Sequence, residues 1–126
     1  MKEKITAKTL ESREQTKLFE FASHFNELKW MFAIPNGGYR NPREAANLKR
    51  QGVKAGVSDI FLPIPNDKYH GLFIEMKVHP NKPSPKQKIF ISNMLENGYS
   101  CKICYSADEA VKEINKYLGR NLWNKK

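Results

Sequence analysis

Asp59 and the Glu75-Met76-Lys77 triplet carry the side chains of this sequence best suited to chemistry. Asp59 opens the apolar run Asp59-Ile60-Phe61-Leu62-Pro63-Ile64, and the triplet closes the run Leu72-Phe73-Ile74-Glu75-Met76-Lys77. Between them lies Pro65-Asn66-Asp67-Lys68, whose residue types favour a turn. If the runs pair as an antiparallel hairpin, Asp59 at the start of one strand meets Glu75 near the end of the other. The two-residue period of a strand then sets Glu75 and Lys77 on one face, with Met76 on the other. Two carboxylates and an ammonium converge at one sheet edge, a grouping suited to holding a divalent metal against a phosphodiester.

Magnesium takes hard oxygen ligands in an octahedron and keeps several waters. Asp59, Glu75 and the backbone carbonyl of Met76 leave room for water and a phosphate oxygen. A metal there lowers the pKa of a bound water and offsets charge building on the phosphate. The neighbouring lysine can orient the nucleophile or stabilise the transition state. The plain alternative is an exposed strand end with a surface ion pair worth about 0–1 kcal/mol.

Other polar residues have two readings each. Glu11 and Glu14 lie on an amphipathic segment. At roughly 100° per residue Glu14 falls near the centre of its apolar stripe and Glu11 about 45° off it. Acids near such a stripe either point into a site or simply suit the positive end of a helix. Gln87 can complete a capping box with Ser84 or face a phosphate or Lys77. Asn36-Gly37-Gly38, with Arg40 nearby, is a plain turn or a loop whose N–H groups approach phosphate. Lys49, Arg50 and Lys54 flank a second glycine-containing loop and suit phosphate contacts, or are merely solvated. His70 and His79 show no metal-ligand spacing, and Trp30 and Trp123 read as packing residues.

These residues need elements to position them. Leu18, Phe21, Ala22, Phe25 and Leu28 repeat at helical spacing, so residues 10–29 are expected to be helical. A short strand is expected over 29–34. Asn41, Pro42 and Glu44 form a helix start, and Gly52 its stop. The two apolar runs follow as strands. Ser84-Pro85-Lys86-Gln87 opens another helix, stopped at Asn97-Gly98. A strand over 99–105 and a last helix from Ser106 to Gly119 complete the order. This is a mixed α/β domain with helices flanking a central sheet. One domain is expected over residues 1–126, with loose ends at 1–9 and 120–126.

Composition narrows the partners. The 22 lysines and arginines against 13 acids give a net charge of +9, which favours a polyanion, nucleic acid foremost. No apolar stretch approaches the roughly 20 residues that span a bilayer, and the charged start, Met1-Lys2-Glu3-Lys4, does not read as a signal segment. A cytoplasmic location is expected. Cys101 and Cys104 form a C-x-x-C, but on a strand residues three apart face opposite sides, and no second Cys or His pair completes a zinc site.

Together these stretches resemble the VRR-NUC (virus-type replication-repair nuclease) family of the PD-(D/E)XK superfamily, in its small stand-alone form. The resemblance is carried by Glu11-Ser12-Arg13-Glu14-Gln15, Ile34-Pro35-Asn36-Gly37-Gly38, Gly52-Val53-Lys54-Ala55-Gly56-Val57-Ser58-Asp59, Gly71-Leu72-Phe73-Ile74-Glu75-Met76-Lys77, Ser84-Pro85-Lys86-Gln87 and Asn97-Gly98-Tyr99. It implies a restriction-endonuclease-like core and magnesium- or manganese-dependent hydrolysis of DNA phosphodiester bonds. It implies that Asp59 and Glu75 bind metal, that Lys77 is the catalytic lysine, and that Gln87 belongs to the site. Its first-helix acid resembles Glu11, which would join the metal group, whereas the wheel favours Glu14. Small members are typical of phages and prophages, and some resemble Holliday-junction resolvases in acting as dimers. Branched DNA in replication or repair and a homodimer are therefore further expectations. Ser58 stands where the family usually has proline, a position that shapes strand entry. The rival from another class is a catalytically silent nucleic-acid-binding module.

Overall fold

The computed structural model describes residues 5–35 and 41–122. Asn36, Gly37 and Arg40, expected near phosphate, lie outside the described residues, as does Trp123. The first helix, α1, spans Ala7–Ala22 and is capped by the Thr6 side chain, which accepts from the Thr9 N–H. It therefore begins before residue 10 and ends before 29. The apolar residues beyond it belong to a 3-10 turn, Asn26–Leu28. That turn sends Leu28 and Met31 into the core and leaves Trp30 71% exposed, against the expectation that it packs inside.

Strand β1 (Phe32–Ala33) is followed by α2 (Pro42–Arg50), capped by Asn41, whose Oδ1 accepts the Glu44 N–H at 2.8 Å. Then come β2 (Ile60–Leu62) and β3 (Leu72–Met76), α3 (Pro85–Glu96), β4 (Ser100–Cys104) and α4 (Ala107–Leu118). The sheet order is β1-β2-β3-β4. The first two pairings are antiparallel, and β3 and β4 are parallel. A parallel pair needs a crossover, which α3 supplies. The sheet is thus mixed and flanked by helices.

Alternation assigns the two faces. Ile60, Leu62, Leu72, Ile74 and Met76 are buried in one cluster with Leu18 of α1 and Val111 and Ile114 of α4. Each fully buried side chain of this kind contributes about 1.5–3 kcal/mol. The other face carries Phe61 and Phe73, with ring centroids 4.4 Å apart, and Phe90 of α3 meets Phe73 edge-on at 5.1 Å. The apolar packing beneath and beside the strands holds this second face still, and the site lies on it.

Two residues after α4 are tied to the body of the domain. Leu122 is buried and its N–H reaches Asn115 Oδ1 at 3.0 Å. Arg120 pairs with Glu27 at 2.5 Å. Cys101 and Cys104 are free thiols on β4, half-buried and buried. Burial pushes both up, to about 11 and about 12, so neither is a ready thiolate. Among the described residues no helix is long and apolar enough to cross a membrane.

Candidate active site

The β2–β3 register sets the acids opposite each other. Ile60 pairs with Ile74 in the antiparallel ladder, so one step further Asp59 lies across from Glu75. Asp59 lies just before β2, where its backbone carbonyl still accepts the Ile34 N–H at 2.6 Å. Its side-chain Oδ2 accepts the Met76 N–H at 2.8 Å, which ties the carboxylate to the neighbouring strand. Lys77 follows β3, and its N–H donates to the Cys104 carbonyl at 2.9 Å. Its ammonium stands 3.7 Å from Glu75 Oε2, on the same face, while Met76 points into the core.

Glu75 is only 2% exposed. Its Oε2 accepts the Gln87 Nε2–H at 2.9 Å, but its Oε1 is buried without a hydrogen-bond partner. Burial, reinforced by the Asp59 charge, pushes the Glu75 carboxyl up to about 8. Burial also raises Asp59, opposed by the Met76 N–H, by a proton shared with the Glu75 carboxyl and by Lys77. Two carboxyl groups packed together at low hydration oppose each other's ionisation, and a cation between them would favour it.

Glu11 is also raised, chiefly by burial, with Lys77 opposing and Asp59 reinforcing. It lines a cavity with Asp59, so it faces the same cluster. Glu14 does not. Its Oε1 accepts the Ala107 N–H at 2.9 Å, where it caps the start of α4, and its Oε2 pairs with Lys17 at 2.9 Å. These contacts hold the Glu14 carboxyl below its usual value, the Ala107 N–H most of all. Glu14 caps across the fold and Glu11 turns to the acids.

Gln87 completes the capping box considered for it, and its other end turns to Glu75, where the sequence suggested Lys77 or a phosphate. Its Oε1 accepts the Ser84 N–H at 2.8 Å, closing the capping box, while its Nε2 reaches Glu75. Lys49, in the last turn of α2, and Lys54, in the loop beyond it, are both exposed. Lys8 escaped the sequence reading. Its charge acts on both Glu11 and Asp59, and it lines the cavity that they share. The signal was its place three residues before Glu11, on the same side of α1.

The donor set suits a hard divalent cation. It offers carboxylate oxygens, one of them buried and unpartnered, beside a second acid. Among the described residues no three His, Cys, Asp or Glu side chains form a metal cage by themselves. Such a site relies on backbone, water and substrate oxygens for the rest of its shell.

A family model described as the VRR-NUC domain matches residues 7–108. A solved structure described as a "VRR_NUC domain protein" is similar, with a TM-score of 0.76 and 28% identity over 87% of this chain and 88% of that one. No curated protein matches.

Proposed function

The chain belongs to the VRR-NUC family, whose domain implies a nuclease acting on DNA, and from this membership and the site we propose a divalent-metal-dependent endonuclease that cuts branched or otherwise structured DNA. The observation that carries the reading is the buried Glu75 Oε1, which lacks a partner beside Asp59 while Gln87 and Lys77 both attend Oε2. An oxygen desolvated without a hydrogen bond costs about 1–3 kcal/mol, and a cation ligand offsets that cost.

Asp59 and Glu75 hold the metal, magnesium or manganese, with the Met76 carbonyl and Glu11 completing the protein's share. When bound, the cation neutralises phosphate charge and acidifies a water for attack in line with the leaving oxygen. Lys77, half-buried beside Glu75, donates to a phosphate oxygen or orients the attacking water. Gln87 fixes the rotamer of Glu75. The Met76 N–H fixes Asp59. Lys49 and Lys54, with Asn36, Gly37 and Arg40, supply backbone contacts that position DNA without reading its sequence. The +9 charge supports the polyanionic substrate. A homodimer and a phage setting in replication or repair fit the family's small members.

The test is cleavage of supercoiled plasmid and of a panel of duplex, nicked, flapped and four-way-junction DNAs, in magnesium, manganese or EDTA. Wild type is expected to cut in metal, and Glu75→Ala is expected to be inert. Equal cutting by the two proteins defeats the assignment. DNA binding with no cleavage and no metal uptake favours a silent binding module.

A further inference from the structure

The cavity that begins at Asp59 and Glu11 has a volume of about 660 Å³ and lies between α1 and the β1 segment. It extends along α1 as far as Ser23, twelve residues from Glu11, or roughly 18 Å of helix. Phe19, Ile34 and Pro35 give it apolar walls. Ser12, Gln15 and Thr16 add hydroxyl and amide groups from one face of α1. Beyond its Asp59 and Glu11 end, this space is lined by none of Glu75, Lys77, Gln87, Lys49 and Lys54.

Charge decides which part of a nucleotide fits. Glu11, Glu20 and Asp59 line the cavity, and Lys8 is the one cation among the described residues lining it. A sugar–phosphate backbone laid along it meets a net negative wall. A nucleobase is flat and neutral, and it can place its faces on the apolar walls and its edges against hydroxyl and amide groups. Lys8 lines the cavity, and its charge acts on Glu11 and Asp59, which makes it the cation available to a phosphate next to such a base.

We propose that this groove receives an unpaired nucleobase adjoining the scissile phosphate, with Lys8 holding the intervening backbone, so that the preferred DNA carries an unpaired nucleotide at the cut. The inference rests on the nuclease reading above and narrows its substrate class. A paired base is unavailable to the groove until it is unstacked. A bulge, a frayed end or a branch point offers the base at little cost.

The test is binding in EDTA, which needs no cleavage and so separates failure of this inference from failure of the nuclease reading. Wild type is titrated with a duplex carrying one bulged 2-aminopurine and with the fully paired duplex. Preference for the bulge of about tenfold is expected, with a change in 2-aminopurine fluorescence on binding. Thr16→Trp fills the groove from an exposed helix position and should bring the two affinities within about twofold. Ser12→Leu is the smaller filler that decides the matter if Thr16→Trp does not fold. Lys8→Ala should weaken binding of the bulged DNA and lower its salt dependence. Equal wild-type affinity for both DNAs, no binding to either, or a full preference in a folded groove-filled variant overturns the inference.

Discussion

Gln87 donates to Glu75 Oε2 at 2.9 Å through the same amide whose oxygen accepts the Ser84 N–H at 2.8 Å. The orientation of that amide is fixed by chemistry. A flipped group would present oxygen to a carboxylate and NH2 to an N–H. The start of α3 is thereby fastened to the acid at the end of β3. Lys77 also attends Oε2, at 3.7 Å. Both cationic and neutral donors gather on one oxygen of Glu75, and Oε1 is left without a partner.

The two jobs of Gln87 can be separated by substitution. Glutamate serves a capping box as well as glutamine does, so Gln87→Glu keeps the helix start but sets a second carboxylate against Glu75. Gln87→Ala removes both contacts and should cost about 0.5–2 kcal/mol of stability. Gln87→Glu is expected to lower cleavage by at least about tenfold while α3 remains folded. Thermal melts and single-turnover cleavage rates read the two effects apart. A Gln87→Glu protein that cuts like wild type would leave the amide as a cap alone.

Glu11 and Glu14 should part in the same way. Glu14→Gln weakens the cap on Ala107 and the pair with Lys17, so melting falls by the equivalent of about 0.5–2 kcal/mol with little change in cleavage. Glu11→Gln removes a carboxylate facing Asp59 and Lys77 and should slow cleavage at least about tenfold with a small effect on melting. Circular-dichroism melts and cleavage rates of both variants check this. The reverse pattern would transfer the site role to Glu14.

How much of this was legible follows from where each constraint originates. The hairpin was legible because its turn residues and its two-residue alternation are local properties, and the Ile60–Ile74 register carries Asp59 to Glu75 without further information. The helix starts at Pro42, Pro85 and Ala107 were legible from their capping side chains. The choice between Glu11 and Glu14 was not. A wheel angle reports which way a residue faces and says nothing of the open N–H that α4 brings to Glu14 from Ala107, 93 residues away. Trp30 misled for a related reason, because its large apolar ring lost the core positions to Leu28 and Met31 on either side of it. Lys8 was overlooked because a lone lysine acquires meaning only when a strand end is placed beside it.

Glu75 makes stability fall as pH rises. Its folded-state pKa is about 8 against a reference of 4.5, so between those values the folded chain holds a proton that the unfolded chain has released. Stability is therefore greatest below about pH 4.5 as far as this group is concerned. It declines through the window and levels off above about 8. Glu75→Gln removes this group's part of the dependence, leaving that of Asp59 and Glu11, and its melting temperature should exceed that of wild type by a margin that widens from pH 5 to pH 8.5. Manganese replaces the proton, so at pH 8 it should stabilise wild type by up to about 2.7 kcal/mol at a hundred times its dissociation constant, and the variant much less. Scanning calorimetry with and without manganese reads both. Equal stabilisation of the two proteins would place the cation elsewhere.

Gly56 sets the loop that delivers Ser58 and Asp59. Its φ is +88°, and a Cβ built there would lie 2.7 Å from the Lys86 carbonyl oxygen, at the first turn of α3. Gly52, at φ +102°, has nothing within 4 Å of the same construction. The pair separates backbone strain from collision. Asparagine tolerates positive φ but still has a Cβ. Gly52→Asn should cost only the strain of a side chain at that φ, about 1 kcal/mol, whereas Gly56→Asn should cost about 2–3 kcal/mol, because the carbonyl it also meets is backbone and cannot turn away. Whatever yields also moves Asp59 relative to Gln87, so cleavage should fall below wild type even where the protein remains fully folded. Chemical denaturation gives the stability, and cleavage rates measured well below the transition give the displacement. Equal costs at the two glycines would remove the loop–helix contact as a determinant of the site.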